Sequence, residues 1–258
     1  MQLTPRQSEL RDAFIAVRGT WGDAWEDILR LDADFFESYM KMSALPWTQG
    51  VLEPKVKEFI CITADANATH MYAPGVQQHI RKALELGATQ QEVMEVLECA
   101  STVGIHAMTV GVPTLLEVLQ EEGLRLGPQA FDARQEELKA EFTSSRGYWD
   151  DLWAGVLDLD PDFFEAYLDF SSVPWRGGVL EPKVREFLYI TFDASATHMY
   201  VPGLKLHMRN ALRYGATEQE LMEVLEIVSV IGIHASTLGA PILVQELARA
   251  AELHAEDG

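Results

Sequence analysis

Residues 53–79 read EPKVKEFICITADANATHMYAPGVQQH, and residues 181–207 repeat them as EPKVREFLYITFDASATHMYVPGLKLH. The similarity extends beyond this stretch, because residues 18–119 align without a gap onto residues 146–247 at a constant offset of 128. Well over half of the aligned positions are identical. A repeat of this length predicts two copies of one structural unit. We therefore predict a first helical repeat at residues 1–125 and a second at residues 126–258.

Helix signals punctuate each copy. Pro54 and Pro74 suit the first turn of a helix, where the missing N–H has no cost. Gly87 suits a left-handed C-terminal cap, and Thr89 with Glu92 matches a capping box. No alternating segment is flanked by hairpin turns, so no strand is predicted. The pattern predicts an all-α fold whose two homologous halves pack about a pseudo-twofold axis, like a homodimer.

Two further segments complete the predicted helices. Residues 93–110 are apolar nearly all round, which predicts one continuous buried helix. Residues 121–142, between the copies, are polar and acidic with a Gly-Pro. We interpret them as a linker followed by a helix equivalent to the N-terminal segment 3–17.

Composition narrows the class of protein. The 258 residues are 48% hydrophobic and 23% charged, which is typical of a globular chain. A formal charge of −20 argues against nucleic acids and anionic membranes as partners, because both require clustered Lys and Arg. The N-terminal residues contain no signal-peptide core and no segment suggests a membrane span, so we predict a soluble, cytoplasmic protein. Cys61 and Cys99 are too few for a disulfide framework.

Six of the seven histidines occupy matched positions in the two copies. The pairs are His70 with His198, His79 with His207, and His106 with His234. His70 and His79 flank a short Pro-Gly corner that can bring them together, whereas His106 lies in the predicted buried helix and needs a polar partner.

Carboxylates accompany these histidines. Glu58 and Asp65 lie two turns apart on one helix face, and they recur as Glu186 and Asp193. Each half thus carries the groups for a pocket of imidazoles, carboxylates and the Tyr72 phenol. Histidine is the usual acid/base near neutral pH, and a neighbouring carboxylate would orient it. A structural role for these side chains, in core packing or at helix corners, remains open at this stage.

The repeated segment, with its PKxxE, HIRxALxxGAT and xEVMEVLE motifs, resembles the carboxymuconolactone decarboxylase family, which has the AhpD-like all-helical fold. The resemblance covers residues 52–113 and 180–241. Thiol peroxidases of this family hold a C-x-x-C pair seven and four residues before the motif histidine. Those positions here are Tyr72 and Gly75, and Tyr200 and Gly203 in the second copy, so the chain is not predicted to be a thiol peroxidase.

The resemblance to the decarboxylase branch implies a cofactor-free lyase that acts on a small carboxylated lactone. His79 and His207 would be the proton donors, and Tyr72 or His70 would stabilise an enolate oxygen, as would Tyr200 or His198. Arg81 and Arg209 would bind the substrate carboxylate if they face the pocket. The resemblance also implies a homo-oligomer. The predicted catalytic residues are His79, His207, His70, His198, Tyr72, Tyr200, His106, His234, Glu58 and Glu186.

Two alternatives stay open. Three histidines per half, His70, His79 and His106 with their equivalents His198, His207 and His234, would suit zinc or non-haem iron in a metal-dependent enzyme. No compact metal-binding motif supports that set. The other alternative is a non-catalytic helical oligomer.

Overall fold

The computed structural model describes residues 2–127 and 129–256, and over these residues the regular structure is helical throughout. The first half contains α1 (Pro5–Arg18), α2 (Asp23–Leu31), α3 (Ala33–Gln49), α4 (Pro54–Ala66), α5 (Ala73–Glu85), α6 (Gln90–Ser101) and α7 (His106–Glu121). The second half contains α8 (Ala133–Arg146), α9 (Ala154–Leu159), α10 (Pro161–Gly177), α11 (Pro182–Ala194), α12 (Val201–Arg213), α13 (Glu218–Ser229) and α14 (His234–Glu256). This confirms the all-α prediction.

The helix boundaries follow the local sequence signals. Thr89 and Glu92 form the capping box at the start of α6, and Gly87 has a left-handed φ of +86°. The prediction of one buried helix over residues 93–110 is wrong. The 3₁₀ turn Thr102–Ile105 separates α6 from α7, and Val110 on α7 is 53% exposed. Apolar composition does not show where a helix leaves the core.

The two halves share one core and exchange their last helices. Helices α4, α6, α11 and α13 form the central hydrophobic cluster. Helix α14 of the second half packs on α2, and α7 of the first half packs on α9. Ile233 accordingly lies in the cluster built around Phe14 and Phe36 of the first half. The repeat boundary at residues 125/126 falls between α7 and α8 and stays a prediction.

Two buried ion pairs join the halves. Glu95 Oε1 lies 2.6 Å from Nε of Arg185, and Glu223 Oε1 lies 2.8 Å from Nζ of Lys57. The second carboxylate oxygen of Glu95 accepts hydrogen bonds from two backbone amides of the other half, and Glu223 does the same. The matched pattern supports packing about a pseudo-twofold axis. Such pairs specify one docking geometry because a missing partner leaves a buried charge uncompensated.

Two stretches, Gln90–Glu121 and Glu218–Leu253, each join two helices through a 3₁₀ turn and are long and apolar enough by composition to cross a membrane. Each stretch joins a helix of the central cluster to the exchanged helix that follows it. Core helices of soluble proteins meet the same criterion, so this composition is weak evidence for a span.

The buried pair between Glu95 and Arg185 gives a test of this interface. In Glu95→Gln the amide oxygen can still accept from the backbone, but the Arg185 guanidinium stays charged and buried without a counter-ion. We expect the free energy of unfolding to fall by about 3–5 kcal/mol in urea denaturation. Asp34→Asn, which removes an exposed partner of Arg6, serves as the control and should cost less than about 1 kcal/mol. Equal losses in both variants would contradict the assigned role.

Candidate active site

The sequence THMY, residues 69–72 and 197–200, forms a corner with the same strained backbone in both halves. Met71 and Met199 have φ of +51° and +53°, a left-handed conformation that is uncommon for a residue other than glycine. Both methionine side chains are exposed, at 70% and 64%, so packing of these side chains does not account for the strain. Strain of this kind concentrates at functional sites. Helix α4 ends at Ala66, three residues before Thr69.

The corner brings Asp65 against Gly75. The Tyr72 amide donates to the carbonyl oxygen of Asp65 at 2.8 Å, which folds the chain back over the end of α4. A Cβ atom added at Gly75 would lie only 1.9 Å from Oδ2 of Asp65. A Cβ atom added at Gly203 would likewise lie only 2.4 Å from Oδ2 of Asp193. Only glycine at these positions lets the buried carboxylate reach the start of the next helix.

A carboxylate orients each motif histidine. Nδ1 of His79 lies 2.6 Å from Oε2 of Glu58, and its Nε2 lies 3.8 Å from Oδ2 of Asp65. Nδ1 of His207 lies 2.7 Å from Oε2 of Glu186. A hydrogen bond at Nδ1 fixes the ring and leaves Nε2 free for exchange of a proton.

The exchanged helix completes each site. Nε2 of His70 lies 2.7 Å from Nδ1 of His234, and the Tyr72 hydroxyl shares a 2.8 Å hydrogen bond with Oγ1 of Thr237. The rings of Tyr72 and His234 stack with centroids 3.9 Å apart. The first site therefore consists of Glu58, Asp65, His70, Tyr72 and His79 from the first half, with His234 and Thr237 from the second.

The second site is built in the same way with the halves reversed. Nδ1 of His106 lies 2.5 Å from Nε2 of His198, and the Tyr200 hydroxyl donates to Oγ1 of Thr109 at 2.8 Å. It consists of Glu186, Asp193, His198, Tyr200 and His207, with His106 and Thr109 from the first half.

The structure corrects the predicted grouping of three histidines within one half. His70 and His79 contribute to the first site, but His106 belongs to the second site, and His234 takes its place in the first. The reason is the helix exchange, since α7 and α14 start at these histidines and cross to the other half. The three-histidine metal site of one half is therefore not formed.

Burial and local charge set the protonation of the first site. Burial opposes the charged form of His79, but Cys61 and the hydrogen-bonded Glu58 outweigh it and raise its pKa to about 10. Burial raises the pKa of Asp65 to about 7, although the positive charge of His79 works against this. Burial, His70 and His79 lower the pKa of His234 to about 4. At neutral pH the first site thus holds a charged His79 and a neutral His234.

A cavity of about 220 Å³ opens onto the first site. Asp65, Tyr72, His79 and His234 line it, whereas His70 stands behind His234. Among the described residues, Oδ2 of Asp65 has no hydrogen-bond partner. A buried carboxyl oxygen without a partner, at the wall of a cavity, is available to a bound molecule.

The two arginines predicted to bind the substrate carboxylate do not face a pocket. Arg81 and Arg209 are exposed and line neither site, because they lie on the outer faces of α5 and α12. The arginine that lines the first cavity is Arg18, the last residue of α1. Its guanidinium stacks 3.7 Å above the Trp47 ring, and within the described part of the chain its buried Nη1 has no partner. The identity of Arg18 with Arg146 in the repeat was the available signal for this residue.

The fold and sites define a tandem protein with two helical repeats and an oriented histidine in each. The chain belongs to the carboxymuconolactone decarboxylase family, whose family model matches residues 33–120 and 161–243. A crystal structure from Burkholderia xenovorans LB400, described as a "putative gamma-carboxymuconolactone decarboxylase subunit", is 57% identical with a TM-score of 0.93, covering 96% of this chain and 100% of that one. No curated protein matches. These comparisons establish the family and its two-repeat fold.

Glu58 is expected to control the charge of His79. In Glu58→Gln the anionic partner is lost while burial persists, so the pKa of His79 should fall and its ring should become neutral near pH 8. Histidine titration by ¹H–¹⁵N NMR measures this directly, with wild type remaining protonated at that pH. Glu85→Gln, an exposed change on α5, is the control. An unchanged His79 titration in Glu58→Gln would contradict the assignment.

Proposed function

We propose that this protein is a cofactor-free lyase that uses histidine acid/base chemistry on a small carboxylated lactone or a related ring-cleavage product. Family membership supports decarboxylase-type chemistry. The observation that carries the proposal is the Glu58–His79 pair facing Asp65 at the cavity, with Glu186 and His207 as its counterpart. An imidazole oriented in this way can deliver a proton to carbon.

The chemistry requires an electron sink and a proton. As the bond from ring carbon to carboxylate breaks, CO₂ leaves and its electron pair moves into the conjugated lactone, which becomes an enolate. Tyr72 lines the cavity and can donate a hydrogen bond to the enolate oxygen. His70 lies behind His234, so Tyr72 is the better placed of the two predicted stabilisers.

His79 then protonates carbon from Nε2, and Glu58 holds the ring in place during the transfer. The raised pKa, about 10, keeps His79 in the donor form at neutral pH. Asp65, whose carboxyl oxygen is 3.8 Å from Nε2, is placed to return a proton to the imidazole. Arg18 lines the same cavity and binds a carboxylate that the product retains.

Removal of both motif histidines tests the acid/base role. His79→Gln together with His207→Gln should lower kcat on a responsive carboxymuconolactone by about 100-fold or more, because glutamine fills the space without donating a proton of suitable acidity. Turnover is measured by loss of lactone absorbance and release of CO₂.

The matched control is Arg81→Gln with Arg209→Gln, which changes two exposed side chains and should leave kcat/KM within about twofold of wild type. Full activity of the double-histidine variant would contradict the proposal. If wild type turns over no member of a carboxylated lactone panel, the non-catalytic alternative is favoured.

A second candidate function rests on a different set of ligands. Asp65, His70 and His234 offer atoms that all lie within 4.8 Å of one another, and His106, Asp193 and His198 do the same. Two histidines and one carboxylate are typical of non-haem iron and of some zinc sites. A metal there would act as a Lewis acid on a substrate oxygen. This set replaces the one predicted from sequence, because it excludes His79 and spans the two halves.

Metal content separates the two candidates. Protein purified without added metal should contain well under about 0.1 equivalent of zinc or iron by elemental analysis, and dialysis against a chelator should leave turnover unchanged. His234→Ala provides the comparison, since it removes one ligand of the first set. Near-stoichiometric metal in wild type that falls by half in His234→Ala would favour the metal-dependent candidate.

Assembly and location remain predictions. Exposed apolar residues on α14, including Leu238, Ile242 and Leu247, offer a surface that a second copy could cover. This surface supports the proposal of a homo-oligomer, and a cytoplasmic location stays a prediction.

A further inference from the structure

We propose that the first site alone admits a ring-sized carboxylate. The side chains that close the second site to it are Leu152, Tyr189, Phe192 and Leu206. This inference deepens the proposed function by naming the working site and the shape of its ligand. It depends on the proposed function only for the lactone chemistry, since ring and carboxylate binding can be measured separately.

The two cavities differ in volume. The first measures about 220 Å³ and the second about 60 Å³. A cavity of roughly 150 Å³ holds a benzene molecule, and a water molecule occupies roughly 30 Å³ in the liquid. The first cavity therefore has room for a five- or six-membered ring with a substituent. The second is well below the volume that holds a benzene ring.

Four matched lining positions differ in a way that narrows the second cavity or makes it less polar. Ala24, Cys61, Ala64 and Gln78 line the first cavity, and their equivalents in the second cavity are Leu152, Tyr189, Phe192 and Leu206. Two of these changes put an aromatic ring in place of a small side chain, a third puts leucine in place of alanine, and the change from Gln78 to Leu206 replaces an amide with an apolar group.

The added rings stand against the catalytic groups of the second site. The ring centroid of Tyr189 lies 4.7 Å from that of His207, and Phe192 lies 5.8 Å from His106. Trp175 donates from Nε1 to the Tyr189 hydroxyl at 3.1 Å, which holds the phenol in place. Tyr189 and Phe192 are both nearly inaccessible to solvent. They are packed parts of the core, so opening the second cavity would require breaking these contacts.

The arginines at the two sites also differ. Arg146 donates from Nη2 to Oγ of Ser171 at 2.6 Å. Within the described residues, the matching Arg18 makes no such bond to Ser43, and its Nη1 is buried without a partner. Nε of Arg146 is also buried without a partner, so the difference lies in Nη2, which Ser171 already binds. Arg18 is therefore the freer of the two guanidiniums to bind an anion.

Calorimetric titration with benzoate, a flat ring bearing one carboxylate, tests the inference. Wild type should bind about one benzoate per chain. Ala64→Phe, which places the second-site residue in the first cavity, should weaken binding at least tenfold. Phenylalanine is the residue found at the equivalent position of the same fold, so this variant is expected to fold, and thermal unfolding verifies it.

The converse variant opens the second cavity. Leu152→Ala and Tyr189→Cys, combined with Phe192→Ala and Leu206→Gln, should raise the stoichiometry to about two benzoates per chain. Arg18→Gln should weaken binding of the single benzoate about tenfold or more through loss of a charge-assisted hydrogen bond, with the exposed Arg81→Gln as control. Two benzoates per wild-type chain, no binding to wild type, or a single site in the opened variant would each overturn the inference.

Turnover distinguishes this inference from the proposed function. If wild type binds one benzoate but converts no carboxylated lactone, the proposed function fails and the one-site inference stands. If wild type converts the lactone but binds two benzoates, the inference fails and the proposed function stands.

Discussion

Glu95 and Glu223 are buried carboxylates, and each must find its counter-ion in the other half of the chain. Because an unpaired charge at that depth is costly, the two halves can dock in only one arrangement. That arrangement carries α7 and α14 across the interface and places His106 and His234 in sites whose other members lie far away in sequence. The integrity of both sites therefore depends on an interface between repeats that a single repeat could not form alone.

The protonation states in the first site follow from the burial of Glu58, Asp65 and His79. His79 is surrounded by protein, so Cys61 and Glu58 set its charge with little screening by solvent. Gly75 permits the approach of Asp65, and the strained Met71 turns the chain between His70 and Tyr72. Backbone geometry thus brings an acid, a base and a phenol to one cavity wall, and Arg18 adds a second positive charge to that of His79.

Much of the fold was predictable from sequence because its signals are local. Pro54, Thr89 and Gly87 mark helix ends by backbone chemistry that works in any context. The pairing of Glu58 with His79 was also within reach, since both lie on adjacent helices joined by a short corner. The site of His106 was not, because helix periodicity shows which face is apolar and gives no information on which half that face will meet. Arg18 was not predicted for a similar reason, because it ends helix α1, which is remote in sequence from the histidine motif.

The contrast between Ala64 and Phe192 has a genetic consequence. In a homodimer built from one repeat, any substitution appears in both sites at once, so a change that fills one pocket fills the other. Joining the repeats in a single chain removes that coupling, and each pocket can then be altered alone. A pocket that no longer needs to stay open can be packed with aromatic side chains, whose burial stabilises the fold. In the tandem arrangement, one half of the molecule can keep an open cavity, which costs packing energy. The other half can offset that cost by closer packing.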